Sequence, residues 1–221
     1  MVSGKQSIQP ITDGFHNTRG DLIKLLFFDT ESSDLAASWG RLLCGSFCTE
    51  NGEAYTFRGD KKPWMGQTKI DDSKLAIAIR DELESVDIIG SWNGLLHDVP
   101  LLNARLSLAG ERPCKLSEKH GTRHVDLMYY MAGQSMKVGG KRLELAATFF
   151  NCQNRKTSLE GSTWQLAAVG DRKAMDAVVD HCEADVRVLR ELFPHLAPYV
   201  KKLQFDLSEV WQFLDLIPSR R

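Results

Sequence analysis

From residue 22 the chain becomes almost continuously apolar. Leu22, Ile23, Leu25, Leu26, Phe27 and Phe28 are interrupted by a single Lys, a run that fits a strand covered on both faces. The pattern predicts a strand over residues 22–30 and makes it the central one. Residues 42–49 and 54–58 read as two more strands around Asn51-Gly52, a dipeptide whose tolerance of positive φ suits a tight hairpin. An antiparallel three-strand meander results. Residues 72–85 carry Leu75, Ile79 and Leu83 four apart with acidic residues at the start, as an amphipathic helix should, and a short strand over 87–91 follows. Beyond a loop at 92–96, Asp98 and Pro100 open a helix through Leu108 that ends near Gly110. Residues 124–131 fit either strand or helix. Residues 141–150 and 172–193 read as helices, and 196–216 as helical apart from a break near Pro198.

Three strands, then alternating helix and strand, then helices predict an α/β fold in which a mixed sheet is flanked by helices. The first 20 residues mix Gly, Pro, Asn and Thr without periodicity and read as a loose arm. The folded domain is expected over 21–195, with 196–221 as a helical extension packed on it.

Composition narrows the functional classes. A length of 221 residues suits one well-buried core and one active site. The net charge of -1, from 28 Lys plus Arg against 29 Asp plus Glu, supplies no overall basic field, so nucleic-acid binding would require a local patch. The 5 cysteines are odd in number and lack the paired short spacings of a zinc module, which suggests reduced thiols in an intracellular protein. The first 18 residues contain no apolar core of a leader, and no stretch approaches the roughly 20 apolar residues of a membrane span. A soluble protein without a membrane partner is expected.

The acidic residues carry the candidate chemistry. Side chains alternate along a strand, so Asp29 and Glu31 point to one side, about 6 to 7 Å apart. Paired carboxylates at a strand's end suit hard cations such as Mg²⁺ or Mn²⁺. At about 100° per residue, Val178, Cys182, Leu189, Leu192 and Phe193 share one face of the late helix. Asp185 falls in the middle of that face, about 20° from Val178 and from Leu192, whereas Asp180, Glu183, Arg187, Arg190 and Glu191 lie opposite. A carboxylate held against the core needs a cation or several donors to offset desolvation. His181 lies one turn earlier and shares what Asp185 faces. Asp98 stands at a loop-to-helix junction where an N-cap role is also available, and Asn93 also suits the Asn-Gly turn.

Taken together, these residues resemble the DEDD superfamily of 3′–5′ exonucleases, with a ribonuclease H-like fold, and within it the exonuclease domain of family B DNA polymerases and its free-standing relatives. Phe27-Phe28-Asp29-Thr30-Glu31 resembles the first motif; Asn93-Gly94 with Asp98 and Pro100 the second; His181-Cys182-Glu183-Ala184-Asp185 the third. The likeness runs from about residue 22 to 192, with weaker matches at His124-Val125-Asp126-Leu127 and over 143–176. Two departures stand out. The third motif has the spacing of the tyrosine branch but carries His181, which leaves the subclass open, and His97 stands where Phe or Tyr is usual.

The resemblance implies hydrolysis of DNA or RNA with two Mg²⁺ or Mn²⁺ ions held by Asp29, Glu31, Asp98 and Asp185. It implies that His181 orients or deprotonates the attacking water. Trp92 and Asn93 are candidates for the terminal nucleotide of a single-stranded 3′ end. Lys137, Lys141, Arg142, Arg155 and Lys156 are candidates for its phosphates, and Lys61-Lys62-Pro63-Trp64 forms another basic and aromatic cluster. Two other readings share the motif set: a structure-specific endonuclease, and a nuclease-fold adaptor that recruits a replication or repair partner, with Val210, Trp211, Phe213, Leu214 and Leu216 of the tail as an apolar docking segment.

Overall fold

The structure, a computed structural model, describes residues 15–16, 22–116, 123–132 and 136–200. The anticipated arm over 1–20 lies almost wholly outside them, as does the tail beyond Val200. Two short strands, β1 (Phe15–His16) and β2 (Leu22–Ile23), pair antiparallel. The main sheet has five strands: β3 (Leu25–Ser32), β4 (Leu42–Thr49), β5 (Ala54–Arg58), β6 (Ile88–Ser91) and β7 (Arg123–Asp126), in the order β5-β4-β3-β6-β7. The pairs β3–β4 and β4–β5 are antiparallel, and β3–β6 and β6–β7 are parallel. The expected meander and parallel strands are therefore both present, with β3 at the centre.

That position explains its sequence. Leu25 and Phe27 join one core layer, packed on the long last helix, while Leu26 and Phe28 join the other. A strand apolar on alternate faces at every position is what two covered faces demand. The strand is longer than 22–30 predicts at its far end and separate from Leu22–Ile23 at its near end. It pairs with β4 as far as Ser32, with a register shift between Glu31 and Ser32. Both acids of the first motif therefore lie within the strand. The β4–β5 hairpin turns at Asn51-Gly52 as expected, Gly52 taking φ 89°.

Six α-helices are described: α1 (Ser73–Glu84), α2 (Asp98–Leu108), α3 (Leu127–Met131), α4 (Leu143–Phe149), α5 (Ser162–Val169) and α6 (Arg172–Leu196), followed by a 3-10 turn over Ala197–Tyr199. Residues 124–131 resolve as strand followed by helix. Asp72, at the cap position of α1, makes no capping bond: it is buried, accepts from Leu42 N at 2.8 Å and pairs with Arg105, while Asp71 accepts from Ser73 N at 3.1 Å. Arg105 also donates to the carbonyls of Ala37 and Gly40, which pins the loop after β3 to α2. Helix α5 has no counterpart in the sequence reading. All five cysteines are buried free thiols. Among the described residues, no helix is long and apolar enough to cross a membrane.

Candidate active site

Three elements deliver the acidic residues: β3, α6 and, for Asp98, α2. β3 presents Asp29 and Glu31 from one face, and α6 lies against that face with Val178, Cys182, Leu189 and Leu192 buried. Asp185 is 4% exposed, in the middle of the apolar stripe, where the helical angle places it. His181 is 5% exposed. The helical projection fails for Glu191, which is buried and accepts from the backbone of Gln153 at 2.5 Å and of Asn154. A loop amide pair offsets the cost of burying that carboxylate on the face assigned to solvent.

Each acid has its own local partner. Glu31 Oε2 accepts from Trp164 Nε1 at 2.6 Å, and Glu31 Oε1 lies 3.7 Å from His181 Nε2. Asp185 Oδ2 is paired with Lys156 Nζ, while Asp185 Oδ1 is buried without a hydrogen-bond partner. Asp29 Oδ2 receives the Cys182 thiol at 3.5 Å. Asp98 is the first residue of α2 and does not cap it; His97 occupies the cap position. One Asp98 oxygen instead accepts from Thr30 N at 3.1 Å and Thr30 Oγ1 at 2.6 Å, which moors the second motif to the edge of β3.

Electrostatics joins what the hydrogen bonds distribute. Burial raises the Asp29 carboxyl well above the ordinary range, and the negative charges of Asp98, Glu31 and Asp185 raise it further, against Lys156. Burial likewise pushes Glu31 up to about 7, opposed by the Trp164 hydrogen bond. Asp98 is raised by burial and held back by Thr30. His181 is lowered by burial, and its Nδ1 is 2.6 Å from Thr157 Oγ1. Four acids that feel one another, with Lys156 as the neighbouring cation, form a site short of positive charge.

Those residues fit a hard dication. Oxygens of Asp29 and Glu31 lie within 4.8 Å of one another and of Cys182 Sγ, and the unpartnered Asp185 oxygen is on the adjoining turn of α6. Burial and neighbouring charge raise the Cys182 thiol well above its usual range, so its proton stays on sulfur as a donor to Asp29. The donor set is then oxygen-rich, the kind Mg²⁺ and Mn²⁺ prefer.

A cavity of about 310 Å³ opens from Asp29 and Asp185 toward Lys156, Lys141, Arg142 and Trp92. Three of the anticipated basic residues thus gather at the acidic centre. Arg155 instead donates to the carbonyls of Ala147 and Asn154, and Trp64 stacks on Phe57 at 4.7 Å. Trp92 borders the cavity, but its Nε1 donates to Lys141 O at 2.9 Å, so the indole joins the two walls. Asn93 takes φ 64°, and its N–H donates to Asp126 Oδ1 at 2.9 Å. Asp126 also accepts from Leu95 N and Met128 N, which ties β7 to the second-motif loop.

Trp164 and Thr157 are contacts that the sequence reading missed. Both come from the segment before α6, 133 residues from Glu31 in the case of Trp164, and no periodicity links such positions. The local signal available was Gly161 and Gly170 bracketing a short helix; Gly170 takes φ 101° as its C-cap.

A mixed sheet with an acidic centre on its middle strand defines the class as ribonuclease H-like. A family model of the RNase_H superfamily matches residues 26–197, and the chain belongs to that superfamily. Among solved structures, the chain is similar to the family B DNA polymerase from the hyperthermophilic archaeon Pyrobaculum calidifontis, with a TM-score of 0.65 and 18% identity. That similarity covers 81% of this chain and 25% of the polymerase, so the chain spans about a quarter of it and the likeness is one of fold. No curated protein matches the sequence.

Proposed function

We propose that the chain is a metal-dependent 3′–5′ exonuclease of the DEDD type, acting on single-stranded ends of DNA or RNA. The observation that carries this reading is the shared cavity: Asp29 and Asp185 open into the same space as Lys156, Lys141, Arg142 and Trp92. Carboxylates alone describe a cation site; carboxylates beside cations and an aromatic wall describe a place for a phosphodiester.

Asp29, Glu31 and Asp185 would hold the ion on the side of the attacking water, and Asp98, through its oxygen not committed to Thr30, a second one. Bound divalent ions supply charge neutralisation and a more acidic water. The protein's own groups do the rest. Glu31 is fixed by Trp164, so its second oxygen is aimed at the His181 side. His181, neutral because burial lowers its pKa and oriented through Thr157, takes a proton at Nε2. Lys141 and Arg142 meet phosphates along the cavity, and Trp92 supports the terminal nucleotide.

Endonuclease chemistry on the same fold is the competing reading. Circular and 3′-blocked single strands separate the two: both should survive incubation with Mg²⁺ or Mn²⁺ while open strands of the same sequence are degraded. Efficient cutting of circles would replace the exonuclease assignment with the endonuclease one. Intact open strands under every metal condition would favour an adaptor role in replication or repair.

A further inference from the structure

A second cavity, of about 220 Å³, lies at the other end of α5 from the Glu31 contact. Trp164, in the first turn of α5, reaches Glu31; Ala167 and Gly170, about 4.5 to 9 Å further along the helix axis, line this cavity. It is also lined by Leu43, whose neighbour Cys44 is the register partner of Glu31. One end of α5 thus contacts the acidic centre through Trp164, and the other end lines this cavity.

Its charge is unbalanced. Arg41, Lys69 and Arg172 face Asp60 and Asp171, and both acids are already engaged. Asp60 binds Arg58 through both oxygens, each at 2.9 Å, and Asp171 caps α6 by accepting from Ala174 N at 2.8 Å. The half-buried Arg41 donates to Ala168 O at 2.7 Å and makes no ion pair among the described residues. Burial disfavours the Arg41 charge; Asp72 and Asp60 favour it, but these acids are paired with Arg105 and Arg58, and the Arg105 charge opposes it. Lys69 Nζ stands 3.4 Å from where a Cβ on Gly170 would lie, which places the ammonium beside the C-cap of α5 at the cavity wall. Lys69 and Arg172 also lack ion pairs among the described residues. A half-buried guanidinium whose neighbouring carboxylates are bound to other arginines, beside two cations without ion pairs and an open volume, suits an anion with several acceptor oxygens.

We propose that this cavity is a phosphate site, distinct from the carboxylate centre, that takes a phosphate of the bound strand or of the released mononucleotide. The proposal rests on the nuclease reading for its ligand but not for its test.

The double variant Lys69→Ala/Arg172→Ala changes exposed side chains outside the acidic centre and leaves Arg41 in place. Binding of a 5′-fluorescein single-stranded 15-mer is followed by anisotropy across a salt series with Ca²⁺ in place of Mg²⁺, with Lys24→Ala as a surface control. Inorganic phosphate and a nucleoside 5′-monophosphate are titrated separately by calorimetry. If the strand supplies the phosphate, the slope of log K against log salt shrinks by about 1.4, two charges at about 0.7 each, and the control does not change. If the mononucleotide supplies it, oligonucleotide binding is unchanged but phosphate and monophosphate binding weaken at least tenfold. Unchanged binding in both arms overturns the proposal. A wild-type protein that binds phosphate through Lys69 and Arg172 yet degrades no strand would retain the phosphate site and lose the nuclease reading.

Discussion

Asp29 and Asp185 share a position that is unfavourable without a counter-ion, and this makes their removal diagnostic. Asp29→Asn keeps the shape of the side chain and removes a charge that burial and three other acids disfavour. The metal-free variant should be more stable than wild type by about 1 kcal/mol or more, a rise of about 2–4 °C in Tm, while hydrolysis is abolished. A thermal melt in EDTA beside an activity assay checks both halves. Trp164→Phe keeps most of the packing and deletes the donor to Glu31; metal affinity or hydrolysis should fall about 10- to 100-fold, as for other residues that orient ligands. An unchanged Mn²⁺ titration would show that the indole only packs. The Glu31 carboxyl, raised to about 7, holds a proton in the folded state that the unfolded chain releases above its ordinary value of 4.5. Its stabilising contribution is complete below about pH 4.5 and is lost as pH rises to about 7. Metal-free Glu31→Gln should therefore gain stability relative to wild type across that window in urea unfolding, and a constant gap would contradict the shift. At this scale the sequence was most informative where one residue broke a pattern: Asp185 is visible as an acid in an apolar stripe. Trp164 breaks no pattern, so its bond to Glu31 depends on a fold that no local rule encodes.

Elements were legible where periodicity was strong. The bounds of β4, β5 and α2 match those expected from the runs around Asn51-Gly52 and from Pro100 and Gly110, and α6 runs three residues past its expected end because Pro194 is accommodated within it. Helix α5 escaped because its eight residues show little separation of polar and apolar faces; Ala167 is its one buried residue. Asp72 shows how tertiary demand overrides a local rule. An acid before a helix suits a cap, but Arg105 and the β4 backbone claim it, and the pair holds the loop that follows β3. Arg105→Ala strands the buried Asp72 carboxylate and should cost about 3–5 kcal/mol in denaturant unfolding. A loss below about 1 kcal/mol would show that the pin is not structural.

Across the whole molecule, the continuous apolar run before Asp29 predicts that the first-motif strand is central, and the sheet order β5-β4-β3-β6-β7 realises it. The parallel neighbours β6 and β7 bring the second-motif loop beside β3 through Asp98–Thr30 and Asp126–Asn93, contacts spanning 68 and 33 residues. Local reading cannot supply those distances, which is why Asp98 was legible as a candidate and its mooring was not. Membership of the RNase_H superfamily is consistent with an acidic centre built on this frame, and the direction of attack is the claim that remains specific to this chain. A 5′-labelled single-stranded oligonucleotide incubated with wild type and Asp29→Asn across a Mg²⁺ and Mn²⁺ titration tests it most directly. Wild type should produce a metal-dependent ladder that shortens one nucleotide at a time from the 3′ end, and Asp29→Asn none; early short labelled fragments without intermediates, or an equal ladder from the variant, would contradict the account.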